Sequence, residues 1–500
     1  MPERHAYREL AHQLAAYLAA RQQPDGGFPG PDHYGVASAV WLWAHFGQEF
    51  APCLARALAR LRDGPPRSHG EFNGYALLQA ARLRPDLRLE PVLAAIRFGG
   101  RHSANWMLLR AACRALRGGS GAARGAAEAR AALLRYAHHG FIADRPGVRS
   151  LAYHVFCGAL LAEMWRHHGW SWAGSAALQA ARVAQRLVLP NGDALYVGRG
   201  QQQVFGYGAL LLLLEAAAGA GEEPALREAA DRVFAYLGSY QRPDGSLPLV
   251  LSRDEPPEPW LWDARPGWYT YNRYADYLPF LACLLLRAAE GPAPPLPDAP
   301  PPPPPHPAFR RWDLAAYSAV VALPGGASTN DLAFPYVCVR GEPLLPCYGG
   351  EHPPPPDALP LPYAWPLRGS PFSFRDRVRY QWEGDGLAGA CSLFAHRRGF
   401  TFGPTGFVCR DRIAFRRPCE FAEFVPANFL FRDLGSDAGG AFMTRCGQAA
   451  ARVVMRPRGE VVTGAAVTAS GRLDALRLVR RPFRAAAGER LAITLEVEFL

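Results

Sequence analysis

The sequence contains no lysine, so all 55 residues counted as lysine or arginine are arginines. They outnumber the 44 acidic residues and give a formal net charge of +11. Nucleic-acid-binding proteins usually gather their basic residues into a stripe, whereas these arginines are scattered among segments with helix and strand patterns. We therefore predict no nucleic-acid partner. The positive field favours an anionic ligand such as an acidic sugar.

Paired cysteines and metal-binding motifs are also missing. The ten cysteines are dispersed, with no C-x-x-C pair and no histidine at metal-ligand spacing, and His138 and His139 are adjacent rather than four residues apart. The sequence predicts reduced thiols and no metal site. It contains no glycine-rich phosphate loop, and we expect no cofactor.

Long apolar runs are absent as well. None reaches the roughly 18 residues that a membrane span needs, and the N-terminal segment lacks the continuous apolar core of a secretion signal. We expect a cytoplasmic, monomeric protein without a membrane partner. The hydrophobic fraction of 49% and charged fraction of 20% are typical of a folded protein, and 500 residues predict two or three domains.

A proline-rich segment, "EGPAPPLPDAPPPPPPHP", divides the chain at residues 290–307. Proline fixes φ and lacks a backbone donor, so this segment can be neither helix nor central strand. It should be an extended, semi-rigid spacer. We therefore predict a domain over 1–290, a linker over 291–307 and a second domain over 308–500.

Before the linker, apolar residues recur at helical spacing in about twelve blocks. Similar turns, "QQPDGGF", "VLPNGDALY" and "YQRPDGSLP", separate several of them. Pro-Asp-Gly and Pro-Asn-Gly combine the fixed φ of proline with the freedom of glycine at positive φ. Repetition of one helix hairpin predicts an (α/α)6 toroid with a cleft at one end, with an open superhelix as the alternative.

After the linker, short apolar or alternating runs lie between glycines and prolines, a pattern typical of an antiparallel β-sandwich. The final strand, Leu491 to Leu500, is the clearest example. Ile493, Leu495, Val497 and Phe499 share one face of it, and polar residues share the other. The predicted fold class is therefore multidomain α and β, with an N-terminal toroid followed by a sandwich.

Four segments of the predicted toroid carry polar or aromatic residues suited to a glycan. They are "RHSANWMLLR", "GFIADRPGVRSLAYH", "NGDALYVGRGQQQVFGYG" and "PWLWDARPGWYTYNRYADY". Aromatic faces stack on sugar rings, and arginine offers a planar fork to carboxylates. The three glutamines at 201–203 stand at a helix start with no apolar role, so we expect solvent or a ligand to face them. Ordinary packing remains the alternative: a helix cap at Ser103 or Asn105, and a buried aromatic seam at 259–277.

Together these patterns resemble the polysaccharide lyases built from an (α/α) toroid and a β-sandwich, the chondroitin AC and hyaluronate lyase group and its heparinase II/III-like relatives. Asn105-Trp106 is similar to the segment of that group's carboxylate-binding asparagine. "GFIADRPGVRSLAYH" resembles the segment of its catalytic tyrosine, which falls on Tyr153, and "VGRGQQQ" resembles that of its catalytic arginine, which falls on Arg199.

The sequence departs from the family pattern at two positions. The family commonly has a histidine about nine residues before the tyrosine, where this chain has Asp144, and Gln203 stands where a second arginine often lies. His139, His154 or another residue would then supply the histidine's role, or the chemistry differs. The residues expected to contact substrate are Trp106, Asp144, Arg145, Gln203, Trp268, Tyr271 and Arg273.

The resemblance implies β-elimination of a uronate-containing polysaccharide or oligosaccharide. Asn105 and Arg199 would neutralise the charge that spreads onto the substrate carboxylate. Tyr153 would take the C5 proton and pass one to the leaving C4 oxygen, helped by Arg199 or Arg145. Two alternatives stay open. One is a glycoside hydrolase using two of Asp144, Asp193, Asp263 and Asp276; the other is a non-catalytic glycan-binding or exopolysaccharide-assembly protein.

Overall fold

The structure is a computed structural model that describes residues 4–30, 32–219, 223–251, 273–324, 333–345, 357, 359–374, 377–436, 440–457, 461–468 and 471–500. The described residues form two compact units. The first contains the described residues up to Leu195 and those between Gln202 and His306. The second contains Tyr196–Gln201 and the described residues from Pro307 onward.

The described part of the first unit contains twelve α-helices of two kinds. Six are apolar nearly all round or along a broad face: α2 (Gly35–Phe46), α4 (Gly70–Leu83), α6 (Ala104–Arg117), α8 (Leu151–His168), α10 (Val204–Ala217) and α12 (Tyr274–Ala289). Most of the remaining six bury one stripe: α1 (Arg4–Ala19), α3 (Ala51–Asp63), α5 (Glu90–Ala95), α7 (Ser120–Tyr136), α9 (Ser171–Leu187) and α11 (Pro224–Gly238). A helix apolar on all sides must be surrounded by protein, whereas an amphipathic one lies at a surface.

The contacts between helices close a ring. The even-numbered helices pack in the order α2, α4, α6, α8, α10 and α12, and α12 returns to α2. The odd-numbered helices pack outside them, for example α7 on α6 and α9 on α8. This is the predicted (α/α)6 toroid, and the closing contact between α12 and α2 excludes the open superhelix.

The three repeated turns have one geometry and follow outer helices α1, α9 and α11. In each, the glycine N–H donates to the carbonyl three residues earlier, at Gln23, Leu189 and Arg242. The glycines have φ between 81° and 91°, which an L side chain rarely adopts. The repeated tripeptide therefore marks the places where the chain turns back from an outer helix towards the next inner helix.

The proline-rich segment has no helix or strand in residues 291–306, and it packs along the first unit. Arg166 donates to the carbonyl oxygen of Gly291, Arg182 to that of Pro300 and Arg186 to that of Pro303. Prolines keep their carbonyl acceptors although they lack the N–H. Arginines of α8 and α9 therefore hold this extended segment against the helices.

Two further strands, β1 (Ala137–His138) and β2 (Phe141–Ile142), form a small hairpin between α7 and α8. The second unit contains β3 (Phe309–Asp313), β4 (Tyr317–Ala322), β5 (Tyr336–Val339), β6 (Glu342–Leu345), β7 (Tyr363–Trp365), β8 (Phe372–Ser373), β9 (Arg379–Glu383), β10 (Gly386–Ala390), β11 (Phe394–Gly403), β12 (Gly406–Phe415), β13 (Cys419–Phe421), β14 (Glu423–Phe431), β15 (Gly435–Ser436), β16 (Phe442–Cys446), β17 (Ala449–Arg456), β18 (Val461–Thr468), β19 (Gly471–Arg480), β20 (Phe483–Ala485) and β21 (Arg490–Phe499). Every described pairing between them is antiparallel.

The largest sheet has the strand order β15-β16-β17-β21-β12-β11-β10-β9, and a five-stranded sheet has the order β18-β19-β14-β7-β8. Their inner faces share an aromatic core, in which Phe394 and Phe415 of the large sheet meet Phe424 of the smaller one. The predicted sandwich is confirmed. In β21, Ile493, Leu495 and Val497 are buried, as the alternation of the final strand predicts.

None of the described helices is both long enough and apolar enough to span a membrane. The nine cysteines in the described ranges are free thiols, four of them only partly buried.

Candidate functional site at the helix N-termini of the toroid

The six inner helices begin at the same end of the toroid. Residues near the starts of neighbouring helices contact one another. For example, the aromatic ring of Phe205 lies against those of Tyr153 and Tyr277. The N-cap positions are Tyr34, His69, Ser103, Ser150, Gln203 and Arg273. Helix N-termini present unpaired N–H groups and the positive end of the helix dipole. This end of the toroid therefore favours a negatively charged ligand.

Aromatic residues fill the axis of the ring below these termini. Phe72 of α4 stacks on Phe156 of α8 with ring centres 5.9 Å apart, and Phe156 contacts Phe205 and Phe280. All four side chains are buried. The polar residues of the helix starts therefore have a closed, apolar floor rather than an open channel beneath them.

Asn105 lies in the first turn of α6. The Ser103 hydroxyl donates to Asn105 Oδ1 at 2.5 Å instead of capping the helix, so neither side chain makes the cap that the sequence suggests. With Oδ1 occupied as an acceptor, Asn105 presents its Nδ2 donor. Trp106 packs edge-on against Phe72, and the Arg101 guanidinium covers one face of its ring at 4.4 Å.

The loop between α7 and α8 is tied to the start of α6. The Ala104 N–H donates to the Asp144 carbonyl oxygen at 2.9 Å, and the Val148 N–H closes a tight turn onto Arg145. Pro146 and Gly147, the latter with φ of 74°, occupy the central positions of that turn, as a type II turn requires. Arg145 is exposed.

Tyr153 lies one turn into α8 from this loop, and only 7% of it is exposed. Its N–H donates to the N-cap Ser150 hydroxyl at 3.3 Å. Burial raises the pKa of Tyr34 well above its usual range, and the nearby charges of Asp276 and Tyr153 raise it further. Asn105, Tyr34 and Tyr153 are thus brought to one end of the toroid by three different inner helices.

Asp144, which stands where the lyases that the sequence resembles commonly have a histidine, is buried. It lies close enough to Cys157 for its charge to add to the effect of burial in raising the pKa of that thiol. Cys157 follows Tyr153 by four residues and therefore shares a face of α8 with it. The structure accordingly places Asp144 beside the Tyr153 face of the helix.

His154 points into the core, with no exposed surface. Its Nδ1 accepts the Ile142 N–H at 3.0 Å, its Nε2 lies 3.2 Å from the Ala180 carbonyl oxygen, and its ring stacks on Phe141. Burial lowers its pKa to about 4. Adjacent helical residues point about 100° apart, so His154 and Tyr153 face different surroundings.

His139 lies in the exposed turn between β1 and β2, with φ of 49°. Its ring contacts those of His138 and His306, at 4.1 Å and 6.5 Å between centres. The two histidines considered from the sequence therefore occupy a surface turn and the core.

The three glutamines at 201–203 are all buried. The expectation that solvent or a ligand faces them is wrong for Gln202, because its side chain bonds to other side chains of the protein. Gln202 donates to Asp193 at 2.7 Å and accepts from the Tyr207 hydroxyl at 2.9 Å, which satisfies a buried network. Gln203 forms the N-cap of α10 and an isolated β-bridge with Val250.

Arg199 is 8% exposed and belongs to the second compact unit. It lies between Gly198 and Gly200, both at positive φ, so the segment bends sharply on both sides of it. Its catalytic role stays a prediction from the sequence.

Arg273 is the half-buried N-cap residue of α12. Trp268 and Tyr271, and with them Asp263, lie outside the described residues.

A histidine–aspartate pair at the same end was missed by the sequence reasoning. His33 Nδ1 lies 3.1 Å from Asp276 Oδ2, and the backbone N–H groups of His33 and Tyr34 both donate to Asp276 Oδ1 at 2.8 Å. Asp276 is fully buried, whereas the His33 side chain is 26% exposed. A buried carboxylate that orients a partly exposed imidazole is an arrangement suited to proton transfer.

His69 completes this group. Its ring centre lies 4.3 Å from that of His33 and 5.6 Å from that of Trp106. Burial and the neighbouring His33 lower its pKa to about 4, so it is neutral near pH 7. It has φ of 50°, a conformation costly for a residue with a side chain and often found at functional sites. The sequence signal that could have found them was position. His69 directly precedes Gly70, and His33 lies two residues before Gly35, each glycine being the first residue of an apolar helix block.

Asp32 adds a carboxyl group next to the pair. Burial raises its pKa, and the charge of Asp276 raises it further. Among the described residues, no group of three His, Cys, Asp or Glu side chains is arranged to hold a metal ion.

The fold and site define a chain with an (α/α)6 toroid, a polar and aromatic group at its helix N-termini, and a β-sandwich. No protein-family model and no curated protein sequence matches the chain. Among solved structures, a Streptomyces coelicolor A3 chondroitin AC lyase in complex with chondroitin sulphate is similar, with a TM-score of 0.52 and 14% identity over 99% of this chain and 80% of that chain. A mutant of the same lyase gives a TM-score of 0.51 and 13% identity with the same coverage.

A glycosyl hydrolase family 88 protein from Bacteroides vulgatus matches 58% of this chain and 99% of its own, with 9% identity and a TM-score of 0.41. At these identities the likeness is one of fold. The fold class and the resemblance to toroid polysaccharide lyases, both predicted from the sequence, are confirmed at that level.

Proposed function

We propose that the protein is a lyase that cleaves a uronate-containing polysaccharide or oligosaccharide by β-elimination at the helix N-termini of the toroid. The observation that carries this proposal is the convergence of Asn105 and Tyr153 there. They lie in the first turns of adjacent inner helices, α6 and α8, and the bond from Ala104 N–H to the Asp144 carbonyl ties the start of α6 to the loop that leads into α8.

The first requirement of the reaction is to stabilise negative charge on the substrate carboxylate. Removal of the C5 proton spreads charge onto this group, and donors fixed in advance stabilise that state most effectively. Asn105 offers Nδ2, because Ser103 occupies its Oδ1. The positive end of the α6 helix dipole adds to the stabilisation. The assignment of Arg199 to the same task follows from the sequence resemblance.

The second requirement is proton transfer. Tyr153 would accept the proton from C5, the electron pair of that C–H bond would form the C4–C5 double bond, and the C4–O bond would break. The leaving oxygen would take a proton from Tyr153. We assign His33, oriented by Asp276, the histidine role that Asp144 leaves unfilled, because its imidazole is partly exposed and lies beside Tyr34, a neighbour of Tyr153.

His154 and His139 have no part in this scheme. The ring nitrogens of His154 both bond within the core, and His139 lies in the β1–β2 turn. The division into a catalytic toroid over 1–290, a linker and a sandwich over 308–500 belongs to the same proposal. The monomeric state and the cytoplasmic location stay predictions from the sequence.

A second candidate function is glycoside hydrolysis with Asp32 as the acid. Burial and the charge of Asp276 raise the pKa of Asp32, as suits a general acid, whereas Asp276 is fully buried and bonded to His33 and Tyr34, so the base of this scheme is not assigned. Of the carboxylates considered from the sequence, Asp193 is engaged by Gln202 and Tyr207, which argues against its use as a catalytic group.

The test is incubation with a panel of acidic polysaccharides, including chondroitin sulphate, with two readouts. A lyase generates reducing ends together with the ultraviolet absorbance of an unsaturated uronate, whereas a hydrolase generates reducing ends alone. Tyr153→Phe should lower kcat by about 10²-fold or more, and Asn105→Ala by about 10²-fold. Full lyase activity in Tyr153→Phe would refute the assignment of Tyr153.

One control variant separates chemistry from folding, and one further variant tests the role of His33. Tyr7→Phe removes a buried hydroxyl that donates to Glu215 on another part of the toroid, and it should leave kcat unchanged. His33→Asn should alter the pH–rate profile as well as kcat, because the side chain proposed for proton transfer is lost. A His33→Asn profile that coincides with the wild-type profile would exclude His33 from proton transfer.

A further inference from the structure

The outward face of the eight-stranded sheet carries arginines that the proposed chemistry does not use. β11, β12 and β21 are neighbours in this sheet. Arg397, Arg412 and Arg490 are exposed on them, with Ala395, Ala414 and Ala492 between, and together they line a groove of about 530 Å³. We call this surface the arginine groove.

The register places the three arginines close together. Arg397 lies directly opposite Arg412, and Arg412 opposite Ala492. The next row along the strands contains Ala395, Ala414 and Arg490. Adjacent strands are about 5 Å apart, and diagonal neighbours about 7–8 Å. The three guanidinium groups can therefore reach anionic groups on successive sugars of one chain.

This arrangement is unfavourable for the protein alone. Like charges directly opposite on neighbouring strands destabilise a sheet, and Arg397 and Arg412 form such a pair. Glu383 offsets only part of that charge, with Arg397 Nη2 at 3.1 Å from its Oε1. An external anion would offset the remainder.

The small residues decide the shape of the ligand. Alanine occupies three of the six positions in these two rows. A flat surface about two strands wide therefore lies between the long arginine side chains. A guanidinium binds carboxylate and sulfate groups through a planar pair of donors. A linear, sulfated or uronate-bearing glycan combines a narrow backbone with such groups at short intervals.

We propose that the arginine groove is a non-catalytic binding surface for an acidic polysaccharide chain. It goes beyond the proposed lyase function and does not depend on it, because the groove lies on the sandwich and retains a polymer rather than cleaving it.

The test compares retention of the full chain on immobilised chondroitin sulphate. Arg412→Ala combined with Arg490→Ala should weaken binding about tenfold at low salt, and the slope of log Kd against log salt should fall by about one per arginine removed. The matched control replaces two exposed arginines of outer helices, Arg124→Ala with Arg227→Ala. It removes the same net charge and should change the affinity less than twofold.

Four results would overturn the proposal. One is equal weakening in the control, which would mean that only net charge matters. A second is undiminished binding by the groove variant when its thermal unfolding matches that of the wild type. The third is a single-stranded oligonucleotide that binds more tightly than the glycan and loses that affinity in the groove variant. Competition by inorganic sulfate at millimolar concentration would likewise show a site for a small anion rather than for a polymer.

Two further measurements support the proposal or count against it. Arg412→Lys with Arg490→Lys should bind with intermediate affinity, because charge is kept and the planar fork is lost; wild-type affinity would refute the role of the fork. Turnover of a short oligosaccharide should be the same in the groove variant as in the wild type. A protein without lyase activity that still loses retention in the groove variant would refute the proposed function and leave the groove standing.

Discussion

Replacement of His154 tests whether this residue stabilises the toroid or takes part in chemistry. In the structure it joins the β1–β2 hairpin to α8 and α9 through the Ile142 N–H and the Ala180 carbonyl oxygen. His154→Phe keeps an aromatic ring for the stack on Phe141 but leaves the Ile142 N–H buried without its acceptor. A lost buried acceptor costs about 1–3 kcal/mol and the second bond about 1 kcal/mol. We expect a loss of about 3 kcal/mol near neutral pH.

The free energy of unfolding of the wild type should also depend on pH, in a direction that the pKa of His154 fixes. Burial lowers the pKa of His154 from its ordinary value of 6.5 to about 4 in the folded state. The unfolded chain therefore binds the proton first, and wild-type stability falls as the pH drops from about 6.5 towards 4. The difference between the two pKa values corresponds to about 3 kcal/mol at pH 4. The phenylalanine variant lacks this loss, so the gap between the two proteins should close near pH 4.

The assay is urea unfolding of both proteins at several pH values between about 4 and 7, followed by a signal from the toroid. His154→Asn keeps an acceptor near the position of Nδ1 and should cost only about 1 kcal/mol. His138→Phe, an exposed change in the same hairpin, should cost less than about 0.5 kcal/mol. A gap between wild type and His154→Phe that stays constant with pH would refute the reasoning, as would an unaltered stability at neutral pH.

Three other changes probe different parts of the chain. Glu163→Gln removes the carboxylate that lies 2.8 Å from Arg287 Nε and also pairs with Arg166. Two mostly buried arginines then keep Glu290 as the remaining acidic partner of Arg287, and urea unfolding should record a loss of about 3 kcal/mol. Arg287 and its neighbours hold the pKa of Glu163 below its ordinary value of 4.5. The stability that Glu163 contributes is therefore present above about pH 4.5 and is lost as the pH falls further. A cost under about 1 kcal/mol would count against the Glu163–Arg287 ion pair. Gly35→Ala would place a Cβ 2.0 Å from the Ala275 carbonyl oxygen and should lower Tm by several degrees. Gly238→Ala is the control: its Cβ would have nothing within 4 Å, and Tm should stay unchanged or rise slightly. Equal effects of the two changes would contradict the close approach of α2 and α12. Arg398→Lys loses the paired bonds to Asp411 at 2.7 and 2.6 Å and should destabilise the sandwich by about 2 kcal/mol in thermal unfolding. Replacement of the exposed Arg410 by lysine is the control and should leave the stability unchanged. An Arg398→Lys protein as stable as this control would contradict the prediction.

The fold could be predicted from sequence because its signals are local and repeated. Helical periodicity, Pro-Asp-Gly or Pro-Asn-Gly turns and strand alternation each arise within a few residues. The turn glycines Gly26, Gly192 and Gly245 have the positive φ that their motif predicts. The alternation of the last strand likewise predicts the buried side of β21.

Two residues of the candidate site were proposed from the resemblance to a lyase group, and their roles stay predictions. Asn105 and Tyr153 were identified through short motifs, and the structure brings them to one end of the ring. His33 and Asp276 could not be paired from the sequence, because 243 residues separate them and only the closing contact between α12 and α2 brings them together. The glutamines at 201–203 were expected to face solvent or a ligand because they are polar, whereas the buried partners of Gln202, Asp193 and Tyr207, could not be identified from the sequence.

The sequence by itself determined the identity of the elements: twelve helix blocks, a proline-rich segment and a run of antiparallel strands, each set by the conformational preferences and periodicity of neighbouring residues. Only the tertiary structure decided which side chains meet. Ring closure set Asp276 against His33, the rotation along α8 turned His154 into the core and Tyr153 towards Tyr34, and strand register placed Arg397 opposite Arg412. These contacts join residues that are distant along the chain or differ only in the direction of a side chain, and local propensity carries no information about either.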